Sequence, residues 1–246
     1  YTGYPMVRQA RAMVAAGELG SLRVVQVEYA QDWLAEPLEA TGQKQAGWRT
    51  DPARTGAGGS TGDIGTHAFN LASFVSGLTL DALAADLQAF VPGRRVDDNG
   101  HVLLRFHGGA RGMLWCSQVA PGNENALRLR LYGEKAGLSW AQEHPNHLWF
   151  TPLGQPPRLV TRGGAGSGPE AARMTRVPPG HPEGYLEGFA NIYAEAGRAI
   201  RAAQAGQAPD SAVVYPTLAD GLAGVAFVDA CVRSSARNAA WVTLNV

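Results

Sequence analysis

Lysine is almost missing from this chain of 246 residues: Lys44 and Lys135 are the only two, and arginine carries nearly all the positive charge. Neither lysine follows a glycine, so there is no G-x-x-x-x-G-K-[ST] phosphate loop. Neither sign of charge is in excess, with 21 Lys+Arg against 21 Asp+Glu. That balance offers no basic footprint to a nucleic acid or an anionic membrane surface. Cysteine occurs twice, at Cys116 and Cys231, with no C-x-x-C spacing. This removes thiol redox motifs and cysteine zinc sites, and predicts two small core thiols in a reduced, cytoplasmic setting. No apolar run reaches the roughly 18 residues of a membrane span. The dinucleotide fingerprint G-x-G-x-x-G is also absent: in the run from Gly56 the last required glycine is Thr61, and 163–168 fails as well. The start, Tyr1-Thr2-Gly3-Tyr4-Pro5, lacks the basic and apolar regions of a signal peptide and reads as the middle of a longer protein.

What is present is a globular composition, 45% hydrophobic and 17% charged, in a chain long enough for one or two domains. Its centre is the stretch Gly56-Ala57-Gly58-Gly59-Ser60-Thr61-Gly62-Asp63-Ile64-Gly65-Thr66-His67-Ala68-Phe69-Asn70. A glycine-rich loop runs into a helix expected over Thr61–Ser76, with Gly77 as its stop. Ile64, Ala68, Leu71 and Val75 form its core stripe. Asp63 and His67, four apart, share another face. The loop glycines leave room for a ligand to approach the backbone. A carboxylate and an imidazole beside such a loop suit proton transfer; they equally suit a helix cap followed by an ordinary histidine.

Around this centre the order of elements is mixed. Pro5–Ala16 reads as a helix and Leu22–Gln31 as a strand. The long connection 32–57 carries Trp48-Arg49, an aromatic wall with a cationic fork. Seven short strands follow between Ala82 and Thr161, separated by turn clusters such as Gly108-Gly109 and Pro121-Gly122-Asn123. They predict an antiparallel meander of consecutive hairpins within an α+β fold. Helices cover one face of this large sheet. The other is expected to be an oligomer interface, with Val102, Leu104, Met113, Trp115, Leu129 and Leu131 as candidates. The segment 163–169 is Gly/Ser-rich and expected to be mobile. A helix of about twenty residues then begins near Tyr185, with Tyr185, Phe189, Ile192, Ala196 and Ile200 as its core stripe. His181 and Glu183 stand at its entrance. A helix over 217–235 and a strand over 241–244 close the chain.

The Asp63–His67 stretch resembles the Gly-Gly-x-x-x-Asp-x-Gly-x-His segment of the Gfo/Idh/MocA oxidoreductases, the glucose–fructose oxidoreductase and inositol dehydrogenase family. The resemblance covers nearly the whole chain but only the C-terminal part of a complete member. It implies an open-sheet, dihydrodipicolinate reductase-like substrate and oligomerisation domain over 1–246, with the N-terminal Rossmann domain lying upstream. It implies NAD or NADP held mainly by that other domain, a sugar or polyol as substrate, no metal, and a homo-oligomeric dimer or tetramer. Asp63 and His67 take the catalytic roles. Trp48 and Arg49 lie near nicotinamide and substrate, and Asn70 and His181 are substrate contacts. Many members have an aspartate where this chain has Asn70, which can bind but cannot act as a base. The lysine of the family's Glu-Lys-Pro motif is matched by neither Lys44 nor Lys135. The rival expectations are a non-enzymatic carbohydrate-binding or dimerising module, and a metal site built on Asp63 and His67.

Overall fold

The computed structural model describes residues 1–244. Pro5 at the first helical position opens α1 (Pro5–Ala15), which buries Met6, Ala10 and Met13. Gly17, with φ 74°, turns the chain back, and β1 (Leu22–Ala30) follows. The connection after β1 is more ordered than its composition implies. It holds a 3-10 turn (Leu38–Thr41) and two short helices, α2 (Lys44–Arg49) and α3 (Pro52–Thr55). The side chains of Gln43 and Asp51 cap these two helices.

The expected helix over Thr61–Ser76 is present in two parts. Thr61–Gly65 forms a π turn and runs straight into α4 (Thr66–Ser76), which ends at Gly77 with φ 68°. Ile64, Ala68, Leu71 and Val75 are all buried. The π turn presses on the sheet: a Cβ at Gly65 would lie 3.2 Å from the Cys116 sulfur, and one at Gly100 2.9 Å from Thr61 Oγ1. Wide π turns of this kind are rare and concentrate at functional positions.

The remaining strands are β2 (Leu80–Gln88), β3 (Asn99–Phe106), β4 (Arg111–Ser117), β5 (Ala126–Gly133), β6 (Ala136–Ala141), β7 (His147–Pro152), β8 (Arg158–Thr161) and β9 (Val242–Thr243). They form one nine-stranded sheet in the order β8-β7-β6-β5-β1-β4-β3-β2-β9. The fold is α+β and the sheet mostly antiparallel, as expected, but the simple meander is not what the chain builds. β4 and β5 do not pair. β1 lies between them, parallel to β4 and antiparallel to β5. The connection 118–125 passes over the end of β1 and is pinned there: Gln31 N donates to Ser117 O at 2.8 Å, and Ala120 N to Gln31 O at 2.9 Å. The order of hairpins along a chain cannot reveal that a strand from far upstream inserts between two of them.

Helices α1, α4 and α7 (Leu218–Ser235) cover one face of the sheet, and Phe69 stacks on Phe227 there with ring centroids 4.5 Å apart. Both cysteines are buried in this core. Burial pushes the Cys116 thiol up to about 12 and raises Cys231 as well, so neither is an accessible thiolate. On the open face the expected residues need correcting. Val102, Leu104, Leu129 and Leu131 are buried toward the helices. A strand's side chains alternate, so a misassignment by one residue exchanges the faces. The open face carries Leu103, Met113, Tyr132, Trp149 and Leu159, all exposed, with Trp115 half-buried among them. Arg128 and Arg130 also lie there, paired with Glu28.

The long helix α6 (Tyr185–Gln204) corrects a second expectation. Tyr185, Phe189 and Ile200 are exposed and Ile192 and Ala196 half-buried, while the buried face consists of Gly188, Asn191, Glu195 and Ala199. The amphipathic period is present but points the other way. Asn191 Nδ2 donates to Gly3 O at 2.9 Å and to Met174 O at 2.8 Å. Glu195 pairs with Arg173 and Arg198 and accepts from Val214 N at 3.0 Å. Gly3 and Gly188 nearly touch, since a Cβ on Gly3 would lie 2.0 Å from Gly188 O. Satisfied polar groups hold this helix inward, and its apolar stripe faces a groove shared with α7. The segment 163–169, expected to be mobile, is anchored through Gly168 N to Gln9 Oε1 at 2.6 Å and leads into α5 (Pro169–Met174).

Candidate active site

The glycine loop packs closely on a distant part of its own chain, while Gly56, Ala57, Gly58 and Gly62 border an apolar groove. Asp97, buried, puts its carboxylate into the loop. Gly59 N donates to Oδ1 at 2.7 Å; Ser60 Oγ, Thr61 N and Thr61 Oγ1 donate to Oδ2 at 2.7, 2.8 and 2.9 Å. Ser60 N adds a bond to the Asp97 carbonyl at 2.8 Å. A Cβ at Gly59 would sit 2.0 Å from that carbonyl oxygen, and one at Gly58 2.7 Å from Val228. The glycines are therefore needed for the close approach of the chain to itself. Free amides at a helix start are a ready seat for a phosphate, and here the protein's own carboxylate occupies it. These residues do not fit the phosphates of a dinucleotide.

The loop so fixed delivers Asp63 and His67 to one polar cavity of about 500 Å³. Asp63 Oδ2 accepts from Arg49 Nε at 2.9 Å and from Gln118 Nε2 at 2.8 Å, while Oδ1 has no protein partner among the described residues. The Arg49–Asp63 pair is about three-quarters buried, which strengthens the charge-assisted bond and fixes the carboxylate's direction. His67 opens onto the cavity, and its ring meets Tyr1 edge-on with centroids 5.3 Å apart. Its pKa is lowered from the ordinary 6.5 by burial, with Asp63 opposing. A neutral imidazole can accept a proton.

The expected site residues separate into three groups. Asp63, His67 and Arg49 meet in the one cavity. Trp48 does not line it; its ring backs the Arg49 guanidinium at 4.3 Å. Asn70, one turn beyond His67, faces the neighbouring apolar groove between α6 and α7, a space of about 780 Å³ that His67 and Tyr1 also border. His181 stands in another cleft altogether.

Several cavity residues carried no signal in the sequence. Tyr29 bonds Tyr1 hydroxyl to hydroxyl and donates to Asn125 Oδ1 at 2.8 Å. Gln31 Nε2 donates to the same oxygen at 2.7 Å, and Trp33 Nε1 donates to Gln31 Oε1 at 3.0 Å. Tyr29 lies at the end of β1 and Gln31 just past it, and the strand's alternation shows only that Tyr29 belongs to the inner face. Burial raises the Tyr29 hydroxyl's pKa, so it remains a neutral hydrogen-bonding group. Among the described residues, no cluster of three or more His, Cys, Asp or Glu side chains converges as a metal site. No helix among them is long and apolar enough to cross a membrane.

An open, mostly antiparallel sheet covered by helices on one face, with a carboxylate and an imidazole at the start of one covering helix, defines an α+β domain with a polar cavity. The chain belongs to the Gfo/Idh/MocA family, for residues 7–139 match the GFO/IDH/MocA C-terminal domain. An oxidoreductase from Sinorhizobium meliloti is 59% identical, with a TM-score of 0.86 over 98% of this chain and 62% of its own. An inositol dehydrogenase homolog from Azotobacter vinelandii, solved with NAD+, is 36% identical with a TM-score of 0.93 over 99% of this chain and 63% of its own. It has also been solved with NADH and myo-inositol. The uncharacterized oxidoreductase YfiI of Bacillus subtilis is 31% identical over 245 residues, 98% of this chain and 62% of that protein. The chain thus spans under two thirds of these relatives.

Proposed function

We propose that this chain is the substrate-binding and proton-transferring domain of an NAD(P)-dependent oxidoreductase that acts on a secondary alcohol of a sugar or polyol. The observation that carries the reading is the meeting of Asp63 and His67 in one polar cavity, with Asp63 Oδ1 left open and the rest of its carboxylate held. The relatives' cofactors and the myo-inositol of the Azotobacter protein give the substrate and cofactor class. The phosphate seat of this chain is filled by Asp97, so the dinucleotide belongs to the part of the relatives outside the match, an upstream domain of this protein. Oxidation of a secondary alcohol releases a hydride and a proton, and the residues here account for the proton. Asp63 Oδ1 accepts from the substrate hydroxyl next to the reacting one and so orients the ring, leaving the reacting hydroxyl's proton directed at His67. His67, neutral at pH 7, takes the hydroxyl proton as general base. Arg49 and Gln118 keep the carboxylate from turning away. The reading is tested by following reduction of NAD+ or NADP+ by the full-length protein with cyclic polyols and aldoses; no reduction with any of them would overturn it.

The pH dependence has a definite sign. A base must be unprotonated, and His67 titrates below 6.5. We expect kcat/KM for oxidation to be flat near neutral pH and to fall, tenfold per pH unit, only below the lowered His67 pKa, on the acid side of an ordinary histidine's limb. Asp63 holds the His67 pKa up, so in Asp63→Asn the residual activity should show its acid limb at lower pH. A limb that moves upward would contradict the pairing.

The open sheet face, with its exposed Leu103, Met113, Tyr132 and Trp149, fits a homo-oligomer interface. Light scattering of the full-length protein at micromolar concentration should give a dimer or tetramer, and Met113→Glu with Leu103→Glu should shift it toward monomer. A wild-type monomer would remove the assignment.

A further inference from the structure

Beside the reaction cavity lies a second and larger cleft of about 1110 Å³. Asn125 and Tyr185 line both, so the two cavities adjoin with Tyr185 on their common border. The cleft's floor is built rather than incidental. Arg162 and Glu183 are buried there as an ion pair of 3.0 Å. Arg162 also donates to Asn146 Oδ1 at 2.7 Å and to Val177 O at 2.7 Å, and it reaches the carbonyl of His181. Asn146 Nδ2 returns a bond to Glu183 O at 2.8 Å. These bonds lock the β6–β7 turn to the loop before α6, so the cleft is shaped before anything enters it. Glu183 Oε2, buried, has no hydrogen-bond partner among the described residues.

The chemistry of the rim selects a class of occupant. His144 and His147 present stacked rings 6.4 Å apart on one side, and His181 stands on the loop opposite. Glu124 and Glu143 lie among these imidazoles. The rim's exposed charges are the carboxylates of Glu124 and Glu143, and the lining arginine is paired with Glu183, which disfavours a phosphate. The imidazoles do not converge as metal ligands. At the common border Tyr185 is 52% exposed, with its ring braced by Phe189 at a centroid distance of 4.7 Å. It offers an apolar plate to the C–H face of a sugar ring and a hydroxyl to its edge. A neutral, hydroxyl-rich ring satisfies all of these groups.

We propose that this cleft seats a second sugar ring, so that the substrate is a two-ring glycoside. The oxidised ring lies against Asp63 and His67, the linkage crosses Tyr185 and Asn125, and the second ring rests between the histidines. The inference rests on the oxidoreductase reading above and extends it to the substrate's size. Its test uses the full-length protein with NAD+ or NADP+. It compares myo-inositol with its α-galactoside, and glucose with maltose and cellobiose. The expected result is a kcat/KM at least about tenfold higher for one glycoside than for its single ring, carried mainly by KM. His144→Ala and His147→Ala, both at exposed positions, should bring the glycoside down to the single-ring value and leave single-ring kinetics as they were. Turnover of single rings with no glycoside preferred, or equal losses on both substrates in the variants, would overturn the two-ring inference and leave the oxidoreductase reading standing. No turnover of any secondary alcohol would overturn both.

Discussion

If the full-length protein oxidises alcohols as proposed, replacing His67 by alanine is expected to lower its turnover by roughly 10²–10⁴-fold, the range of a positioned general acid–base group. The side chain opens to the cavity and contributes no hydrogen bond to the fold among the described residues, so the variant should melt like wild type. Asp63→Asn should lose a comparable factor by another route. Asparagine keeps one oxygen but not the charge that holds Arg49, and its amide can present a donor where the substrate hydroxyl needs an acceptor. The two losses should not add in the double variant, because orienting the ring and taking the proton of its reacting hydroxyl serve the same step. Steady-state kinetics in the oxidative direction decide the matter. Wild-type turnover in both single variants would remove the assignment of the cavity. A rise in KM with kcat intact would make Asp63 and His67 binding residues only.

Replacing Asp97 by alanine is expected to be strongly destabilising, although Asp97 lies outside the substrate cavity. Four donors, two of them backbone amides, converge on its buried carboxylate. Each donor left buried and unpaired costs about 1–3 kcal/mol, and their losses overlap because water can enter the vacated space. A total of about 3 kcal/mol is a conservative expectation. At ~2–4 °C per kcal/mol for a domain of this size, Tm should fall by about 6–12 °C. Asp97→Asn retains one acceptor oxygen and should fall between the two. Gly59→Ala should match or exceed the alanine variant, since its Cβ would lie 2.0 Å from a backbone oxygen that has no free space to move into. Differential scanning calorimetry measures all three. A Tm for Asp97→Ala within a degree of wild type would mean that the glycine loop is held by something else.

These two residues mark the boundary between local and distant information. The Asp63–His67 spacing, the core stripe of Ile64, Ala68, Leu71 and Val75, and the stop at Gly77 are all legible within one segment of chain. They follow from the geometry of a helix, which repeats every few residues and needs no knowledge of the partner. The two-residue alternation of the strands is legible for the same reason. The glycine loop was also visible, but its purpose was not. Glycine signals close approach without saying to what, and Asp97 lies 36 to 38 residues away from the groups it binds. Nothing around Asp97 in the sequence distinguishes it from Asp98 beside it.

Local pattern alone carried the class of fold, the family resemblance, the Asp63–His67 spacing and the helical period of the segment that holds it. Long-range packing sets the rest: β1 inserts between β4 and β5, α6 buries Asn191 and Glu195 rather than its apolar stripe, Tyr29 and Asn125 join Asp63 and His67 at one cavity, and buried Gln118 holds the Asp63 carboxylate. The physical reason is one of range. A period is fixed by backbone geometry over a single turn or pleat. The choice of which face turns inward is fixed by partners far along the chain, such as Gln118, 55 residues from Asp63, or Gly3, 188 residues from Asn191.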